Sequence, residues 1–316
     1  MKYCFGVDIG GTTIKLGLFD LEGNVLDKWE IKTRVANEGE AILPDLAATI
    51  KSKILTRKIE QQDIVGIGVG VPAPVTNGGI VNGSANLGWR YVDVKGDLER
   101  LTGLKALISN DANVAALGEM WKGGGKGQKN MVMITLGTGV GGCIIVDGRI
   151  LVGAHGAAGE VGHLKVDFTE KEQCGCGGYG CLEQYSSARG MVRVAKRFLK
   201  KNQEPTTLRE DRLSAKSIFD AVKKGDTVAI KIAAEFGNIL SMGLYYIAVL
   251  VDPAVFVIGG GVSKAGEVLL KFIEKPFQDR AFFANVDAKF ALATLGNDAG
   301  IYGSAKMMSD HVLGQR

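Results

Sequence analysis

The sequence YCFGVDIGGTTIKLGLF occupies residues 3–19 and determines how the fold begins. Two apolar segments, 3–9 and 14–19, have the composition of β-strands, and the glycine pair between them predicts a tight turn. The turn-forming sequence DLEGN and a third apolar segment at 25–31 follow. The chain is therefore predicted to open with three strands joined by two turns.

The same arrangement recurs near the middle of the chain. The sequence MVMITLGTGVGGCIIV at 131–146 again places a glycine turn between two apolar segments, and a further turn and strand follow. Two copies of one supersecondary unit predict duplicated halves. In the remaining sequence, helical patterns such as 226–251 alternate with apolar segments such as 254–258, which indicates an α/β fold.

Length and composition are those of a globular protein. The 316 residues suit two domains or one large α/β domain, and 46% hydrophobic with 23% charged residues is ordinary for folded chains. The 45 glycines are clustered and not periodic, which suggests tight turns around a ligand. The 38 basic and 34 acidic side chains are too evenly balanced to predict a nucleic-acid partner. The basic residues at 189–201 are interpreted as the solvated face of an amphipathic helix.

Membrane insertion and secretion are not predicted. The longest uncharged stretch in the C-terminal half, 236–251, has 16 residues and contains two polar side chains, which is short for a membrane span of roughly 20 residues. Asp8 interrupts any apolar signal core near the start. We therefore expect a soluble, cytoplasmic protein whose five cysteines are reduced thiols or metal ligands.

The most specific motif is a cluster of one histidine and three cysteines. Cys174, Cys176 and Cys181 form the pattern C-x-C-x4-C, with His163 upstream and glycines between the thiols. Three thiolates and one imidazole are a ligand set for tetrahedral zinc, and four protein ligands would make the zinc structural. The alternative is a set of free thiols in a mobile loop.

The first glycine turn is a candidate phosphate-binding loop. Gly10 and Gly11 allow backbone amides to approach a phosphate, and Thr12 adds a hydroxyl donor. Asp8 at the strand end could hold a hydrated magnesium ion, and Lys15 would add positive charge nearby. A plain hairpin turn is the alternative.

Two later glycine segments suggest further nucleotide contacts. Residues 137–142 match G-x-G-x-x-G, but a strand follows where a dinucleotide site needs a helix, so a second phosphate loop is favoured. No G-x-x-x-x-G-K-[ST] sequence occurs. The triplet at 259–261 follows a predicted strand and would offer a flat surface for ribose or adenine, the alternative being a crowded strand-to-helix crossing.

Several polar residues are candidates for catalysis and for sugar binding. Asp111 follows the predicted strand 104–109 and could be a general base, although Asn and Asp are also ordinary at helix starts. Asn86 lies in a polar loop that also carries an aromatic side chain, as sugar sites do. Glu160 and Glu183 lie near the metal ligands and could accept hydrogen bonds from a polyol, or be surface acids.

Together these segments resemble the ROK family (repressors, open reading frames and sugar kinases). The resemblance runs from Gly6 to about Gly303. It is carried by DIGGTTIK at 8–15, TLGTGVGGC at 135–143, GEVGH at 159–163 and CGCGGYGCLE at 174–183. The sequence GEMWKGGGKG at 118–127 is most similar to the bacterial glucokinases of that family.

The resemblance implies a two-lobed actin-like, hexokinase-type (ribonuclease H-like) α/β fold with duplicated βββαβα halves and a cleft between the lobes. Residues 1–109 are expected to form the small N-terminal lobe, to which a C-terminal helix at about 300–316 returns. Residues 110–299 are expected to form the large lobe, with the zinc-binding loop at 163–181.

The implied activity is transfer of the γ-phosphoryl group of ATP to the 6-hydroxyl of glucose, with Asp111 as the general base. The implied ligands are ATP with Mg²⁺ and a structural Zn²⁺, and the expected assembly is a homodimer or higher homo-oligomer. Sugar hydroxyls would contact Asn86, Asn110, Asp111, Glu160, His163 and Glu183. The nucleotide and its metal would contact Asp8, Gly10, Gly11, Thr12, Lys15, Gly137, Thr138, Gly259, Gly260 and Gly261.

Other activities stay open at this stage. A ROK kinase could instead use mannose, fructose, allose or an N-acetylhexosamine. Sugar-sensing members of the family carry an added N-terminal DNA-binding domain, for which the loop beginning at Asp8 is expected to leave no room. An actin-like chaperone would not explain the His/Cys cluster. One departure is visible, since the family motif G-x-P-G-P-V reads GVPAPV here. The methyl group of Ala73 could tighten the fit to the sugar or alter the sugar preference, and it removes no catalytic group.

Overall fold

The computed structural model describes residues 1–76, 78–209 and 212–314. Its strands are β1 Tyr3–Ile9, β2 Thr13–Asp20, β3 Val25–Lys32, β4 Ile64–Val71, β5 Ile80–Val81, β6 Val92–Asp93, β7 Ala106–Asn110, β8 Met131–Leu136, β9 Val140–Val146, β10 Arg149–Ile150, β11 Val255–Gly259 and β12 Lys289–Leu292. Its α-helices are α1 Ile42–Arg57, α2 Val94–Thr102, α3 Asp111–Lys122, α4 Glu183–Ser186, α5 Ala188–Lys201, α6 Ala215–Lys223, α7 Thr227–Val251, α8 Glu267–Gln278 and α9 Ala299–Val312.

Two five-stranded sheets share one topology. The strand orders are β3-β2-β1-β4-β7 and β10-β9-β8-β11-β12. In each sheet the first three strands in sequence pair antiparallel, and the two later strands join them in parallel. The predicted α/β class and the predicted duplication are confirmed, and the segments 3–9 and 131–136 are strands as expected.

The chain divides into two compact units at positions that differ from the predicted boundary. One unit contains Met1–Gly127 and the C-terminal segment from Thr294, and the other contains Gln128–Ala293. The sequence pattern instead placed the break after residue 109. Helix α3 stays with the first unit because it packs against α9, which returns from the far end of the chain. Residues 315 and 316 of the helix predicted at about 300–316 lie outside the described residues.

In the first unit, glycines allow helix α9 to lie directly on the sheet. A Cβ added at Gly6 of β1 would overlap the carbonyl oxygen of Ile301, and one at Gly68 of β4 would overlap that of Ser304. The opposite face of the sheet packs against α1 and α2 through side chains such as Phe5. These strand glycines therefore serve close helix packing, a role that the sequence pattern did not predict for them.

In the second unit, α7 is the central helix. By length and composition it could cross a membrane, since its 25 residues include an 18-residue window of mean hydropathy 1.4. The uncharged stretch 236–251 is the C-terminal part of this helix, whose bounds agree with the helical pattern predicted at 226–251. The fully buried Phe236, Leu240 and Leu244 lie on one face, and the helix packs against α4, α5, α6 and α8. This spacing is that of a core helix in a folded unit.

The parallel strands bring candidate residues to one edge of each sheet. In the first sheet Asp8 is in register with Gly70, which is in register with Ser109, two residues before Asp111. In the second sheet Thr135 is in register with Gly259. Ligands of α/β proteins bind at such carboxyl ends of parallel strands.

Candidate functional site

The predicted site residues are divided between the two units. The first unit contains Asp8, Gly10, Gly11, Thr12, Lys15, Asn86, Asn110 and Asp111. The second contains Gly137, Thr138, Glu160, His163, Cys174, Cys176, Cys181, Glu183, Gly259, Gly260 and Gly261.

Two carboxylates dominate the first unit's part of the site. Asp8 and Asp111 are both half-buried. Burial raises the pKa of Asp8 to about 6, the negative charge of Asp111 adds to this rise, and Lys15 acts in the opposite direction. Burial also raises the pKa of Asp111, although the amide of Ala112, which donates to its Oδ1 at 2.8 Å, offsets part of the effect. Neighbouring acids whose ionised forms are disfavoured, as their raised pKa values show, are typical of functional sites.

The start of helix α3 holds Asn110 and Asp111 in place. Asn110 Oδ1 accepts hydrogen bonds from the amides of Ala112 at 3.0 Å and Asn113 at 3.3 Å, so Asn110 is the N-cap. Its Nδ2 donates to the carbonyl oxygen of Ala73 at 3.3 Å. Asn110 is therefore a helix-start residue, as the alternative interpretation had it. Its bond to residue 73 uses the backbone carbonyl, which is the same whether that residue is alanine, as here, or the glycine of the family motif.

The first glycine loop lies against the loop that carries Asn86. The Gly10 amide donates to the carbonyl oxygen of Thr13 at 3.0 Å, which closes the hairpin. Gly11 and Thr12 are exposed at its tip. A Cβ added at Gly11 would lie 3.1 Å from the carbonyl oxygen of Asn86. The structure thus brings a candidate phosphate loop and a candidate sugar residue together.

Lys15 is held close to Asp8 rather than extended into solvent. It pairs with Asp8 across the β1–β2 ladder, and its Nζ donates to the carbonyl oxygen of Asn297 at 3.0 Å. Asp8 also lies against the first turn of α9, so closely that a Cβ added at Gly300 would overlap its carboxylate. The position of this carboxylate is therefore set by both β1 and α9.

In the second unit the two later glycine segments meet. A Cβ added at Gly260, whose φ is +84°, would lie 2.6 Å from the carbonyl oxygen of Leu136, the residue before Gly137. The carbonyl oxygen of Gly137 accepts a hydrogen bond from the amide of Ala188, at the start of α5, at 2.8 Å. A Cβ added at Gly261 would meet no atom within 4 Å among the described residues, so its surface is open.

A cavity of about 590 Å³ adjoins the second glycine loop. Its lining includes Thr138, Ala188, Arg189, Val192, Arg212, Leu213, Ser214 and Ala215. Arg189 is exposed, as expected for the solvated face of α5, and it also lines this cavity. It lies in the first turn of α5, two residues after the Ser187 N-cap, and the same turn contacts the second glycine loop through the Ala188 amide, a tertiary contact that the sequence did not reveal.

The four predicted metal ligands converge. The candidate ligand atoms of His163, Cys174, Cys176 and Cys181 all lie within 4.8 Å of one another. The loop can close because Gly180 has φ +70° and packs so tightly on Asp167 that a Cβ would overlap its carbonyl oxygen. Such spacing and chemistry suit a tetrahedral zinc ion.

The two nearby acids sit beside these ligands. Glu160 Oε2 lies 4.0 Å from Nε2 of His163. Glu183 Oε2 accepts a hydrogen bond from the Val140 amide at 3.1 Å, and its Oε1 lies 3.9 Å from the Cys174 thiol that donates to it. Glu183 therefore connects the candidate metal loop to the second glycine loop, a link that the sequence did not reveal.

The thiols differ in their electrostatic surroundings. The Gly178 amide, which donates to Cys176 Sγ at 3.4 Å, lowers the pKa of that thiol. Burial raises the pKa of Cys181 to about 12, and the neighbouring sulfurs of Cys176 and Cys174 add to the rise. A cation bound among the thiols would favour the thiolate form of each of them.

Comparison with known proteins identifies close relatives. The sequence model of the ROK family matches residues 4–311. The glucokinase of Halalkalibacterium halodurans is 41% identical over 308 residues, which cover 96% of this chain and 93% of that protein.

Solved structures agree with this relationship. A ROK family glucokinase from Streptomyces griseus, solved in complex with glucose and AMPPNP, is 35% identical, covers 96% of this chain and 98% of its own, and gives a TM-score of 0.69. The ROK hexokinase from Thermus thermophilus is 27% identical, covers 99% of this chain and 100% of its own, and gives a TM-score of 0.81. The hexokinase-type fold expected from the sequence is confirmed, and the chain belongs to the ROK family.

Proposed function

We propose that this protein is an ATP-dependent sugar kinase that transfers the γ-phosphoryl group of ATP to the 6-hydroxyl of glucose. The observation that carries the proposal is the pair of half-buried carboxylates, Asp8 and Asp111, at one edge of the first sheet. The similarity to a glucokinase over 96% of the chain, and to a structure that binds glucose and AMPPNP, supports glucose and ATP as the substrates.

Asp111 is the general base in this mechanism. It accepts the proton of the sugar hydroxyl as the hydroxyl oxygen attacks the γ-phosphorus in line, and ADP leaves. Burial raises the pKa of Asp111, which makes its carboxylate a stronger proton acceptor than an exposed aspartate. Asn110 fixes the first turn of α3 and so orients the carboxylate.

Five further side chains would bind the sugar hydroxyls. Asn86 and Asn110 would supply amide groups, Glu160 and Glu183 would accept hydrogen bonds, and His163 would donate one from the ring nitrogen that does not bind the metal. Glu183 is suited to this role because the Val140 amide holds one of its oxygens, which fixes the direction of the carboxylate. The proposed contacts differ little between hexoses, so the choice of glucose rests on the relatives.

The glycine segments bind the nucleotide. The exposed tip at Gly11 and Thr12, together with Gly137 and Thr138, would donate hydrogen bonds to phosphate oxygens. The segment Gly259, Gly260 and Gly261 and the cavity beside Thr138 would accommodate the adenosine. Asp8 offers the oxygen donor that Mg²⁺ prefers, and Mg²⁺ would reduce the negative charge of the phosphates.

The His/Cys cluster is proposed to bind a structural zinc ion. Its one imidazole and three thiols fit the tetrahedral ligand set, and four protein ligands leave no position for a substrate. One ring nitrogen of His163 would bind the metal while the other faces the sugar. The bound ion would keep the loop, and with it Glu183, in one conformation.

A cytoplasmic location and a homo-oligomeric assembly, a dimer or larger, complete the proposal. The His/Cys ligand set supports the proposed location, because thiols persist as metal ligands in a reducing compartment. Light scattering of the purified protein would give its mass relative to the 33.5 kDa chain.

The function is tested by ADP release with ATP, Mg²⁺ and a panel of hexoses that includes glucose, mannose, fructose, allose and N-acetylated amino sugars. We expect the highest kcat/KM with glucose and the formation of glucose 6-phosphate. A higher kcat/KM with another hexose would change the substrate and keep the mechanism. Absence of any sugar-dependent ADP release from zinc-loaded protein would refute the kinase assignment.

A further inference from the structure

Glu119 is a fully buried carboxylate near the end of α3 that is satisfied by the backbone. Its Oε2 accepts hydrogen bonds from the amides of Gly124 at 2.9 Å and Thr294 at 3.0 Å. Its Oε1 accepts one from the amide of Leu295 at 2.8 Å. A buried charge destabilises a fold unless such hydrogen bonds compensate it, and bonds to a charged acceptor are stronger than neutral ones.

The two segments that Glu119 holds are those by which the chain leaves and re-enters the first unit. The first unit's first segment ends at Gly127, three residues after Gly124. Thr294 is the first residue after the chain returns. One carboxylate therefore fixes both segments at the C-terminal end of α3, and Leu295 lies only four residues before α9 begins at Ala299.

The first glycine after α3 is required by this arrangement. A Cβ added at Gly123 would overlap Oε2 of Glu119. The Gly123 and Gly125 amides also donate to the backbone carbonyl oxygen of Glu119, each at 3.0 Å. The glycine triplet that follows the helix thus wraps around Glu119, which gives the sequence GEMWKGGG a structural meaning that the sequence alone did not show.

Helices α3 and α9 touch without intervening side chains. A Cβ added at Gly303 would overlap the carbonyl oxygen of Val114, and one at Gly118 would overlap that of Ala299. These contacts hold the two helix backbones together at the glycine positions near the middle of the pair. The bonds from Glu119 to the segment that leads into α9 add a second constraint at the C-terminal end of α3.

The position of α3 along α9 matters because α3 carries Asp111 and the start of α9 contacts Asp8. Asp111 is the first residue of α3, and Asp8 lies against Gly300 in the first turn of α9. We propose that Glu119 is a positioning residue for phosphoryl transfer, which fixes α3 against the start of α9 and so sets the separation of Asp8 and Asp111. This inference rests on the proposed kinase function, and Glu119 acts through the two aspartates.

The test replaces Glu119 by Gln and by Asp. Gln keeps the shape but exchanges one acceptor oxygen for an NH₂ group, so at least one amide loses its partner. Asp keeps the charge but shortens the side chain by one methylene group, so its carboxylate no longer reaches all three amides. This variant provides the test if the Gln variant does not fold. Glu99→Gln is the matched control, because Glu99 Oε1 accepts a hydrogen bond from the Ala106 amide at 3.0 Å in the same unit but on α2.

Hydrogen exchange and steady-state kinetics are measured on each folded, zinc-loaded variant. We expect faster exchange at the amides of Gly124, Thr294 and Leu295 in both Glu119 variants, and kcat lower by ~10-fold or more, as small displacements of reacting groups produce. The KM for glucose should stay within about twofold, because binding groups are kept. Glu99→Gln should match the wild-type protein in all three quantities.

Two results would overturn the inference. The first is a folded Glu119 variant whose kcat equals that of Glu99→Gln while its three amides exchange faster, because Glu119 would then have a structural role only. The second is unchanged exchange at those amides. A wild-type protein without sugar-dependent ADP release would be a different failure, since it would refute the proposed function and this inference with it.

Discussion

Asp8 and Asp111 lie at the same edge of the first sheet, where the negative charge of Asp111 adds to burial in raising the pKa of Asp8 to about 6. Neither acid has a salt bridge with an arginine among the described residues, and the positive charge of Lys15 opposes the rise in the pKa of Asp8 only in part. The fold thus maintains two carboxylates in a place where their ionised forms are disfavoured. Such an arrangement reduces stability and is explained by a function that needs both charges.

The first prediction concerns the pH dependence of catalysis. Since Asp8 must be ionised to bind the magnesium of ATP, kcat/KM for ATP should fall as the pH drops through about 6. The measurement is a pH profile from 5 to 8 at saturating glucose. A profile that stays flat down to pH 5, with the protein still folded, would contradict the role of Asp8.

The second prediction concerns stability. The folded-state pKa of Asp8, about 6, lies above its ordinary value of 3.8, so between these values the folded protein binds more protons than the unfolded chain. Stability therefore falls as the pH rises through this range, and ionised Asp8 costs on the order of 3 kcal/mol above it. Asp8→Asn should raise Tm at pH 7 and abolish turnover.

Two controls accompany this measurement of Tm. At pH 4 the wild-type Asp8 is already protonated, so Asp8→Asn should give little gain there. Asp287→Asn, at an exposed position, should leave Tm unchanged at both pH values. An equal gain for Asp8→Asn at pH 4 and pH 7 would show that its effect is not electrostatic.

The third prediction concerns the metal. Purified protein should contain one zinc per chain, and Cys176→Ser should lose it, because the remaining three ligands bind zinc more weakly. The variant should have a lower Tm and a higher KM for glucose, since Glu183 lies 3.9 Å from the Cys174 thiol. Cys143→Ala, outside the cluster, should retain the zinc. Equal zinc content in the two variants would contradict the assignment.

The fourth prediction concerns the packing of α3 on α9. Gly303→Ala should reduce the free energy of unfolding by roughly 1–3 kcal/mol or more, because the new Cβ overlaps the backbone of Val114 and the helices must separate. Gly261→Ala is the control, since its Cβ would meet no described atom within 4 Å and its φ of −64° suits alanine. Denaturant titrations would compare the two, and equal midpoints would refute the packing argument.

The sequence predicted best what is local along the chain. The four predicted metal ligands, whose convergence the structure shows, lie within 19 positions, and glycines with positive φ, such as Gly180, close their loop. The two strand–glycine–strand units are likewise contiguous, so apolar pattern and turn residues were sufficient to locate them. The N-cap role of Asn110 followed from helix chemistry alone.

The sequence predicted poorly what depends on distant segments. The unit boundary was placed after residue 109 because nothing near α3 reveals that α9 packs on it from almost 200 residues away. Glu119 was missed for the same reason, since two of its three amide partners lie 175 and 176 positions further on. The available signal in the sequence was an acidic residue inside an apolar helix pattern. Only the structure shows that this carboxylate is fully buried and hydrogen-bonded to the backbone.

The central claim is that Asp111 is the base of a glucose kinase, and one comparison tests it most directly. ADP release with ATP, Mg²⁺ and glucose is measured for the wild-type protein and for Asp111→Asn, together with glucose binding by calorimetry. The account predicts that kcat falls by ~10²–10⁴-fold while the affinity for glucose changes little. An Asp111→Asn protein that turns over at the wild-type rate would contradict it.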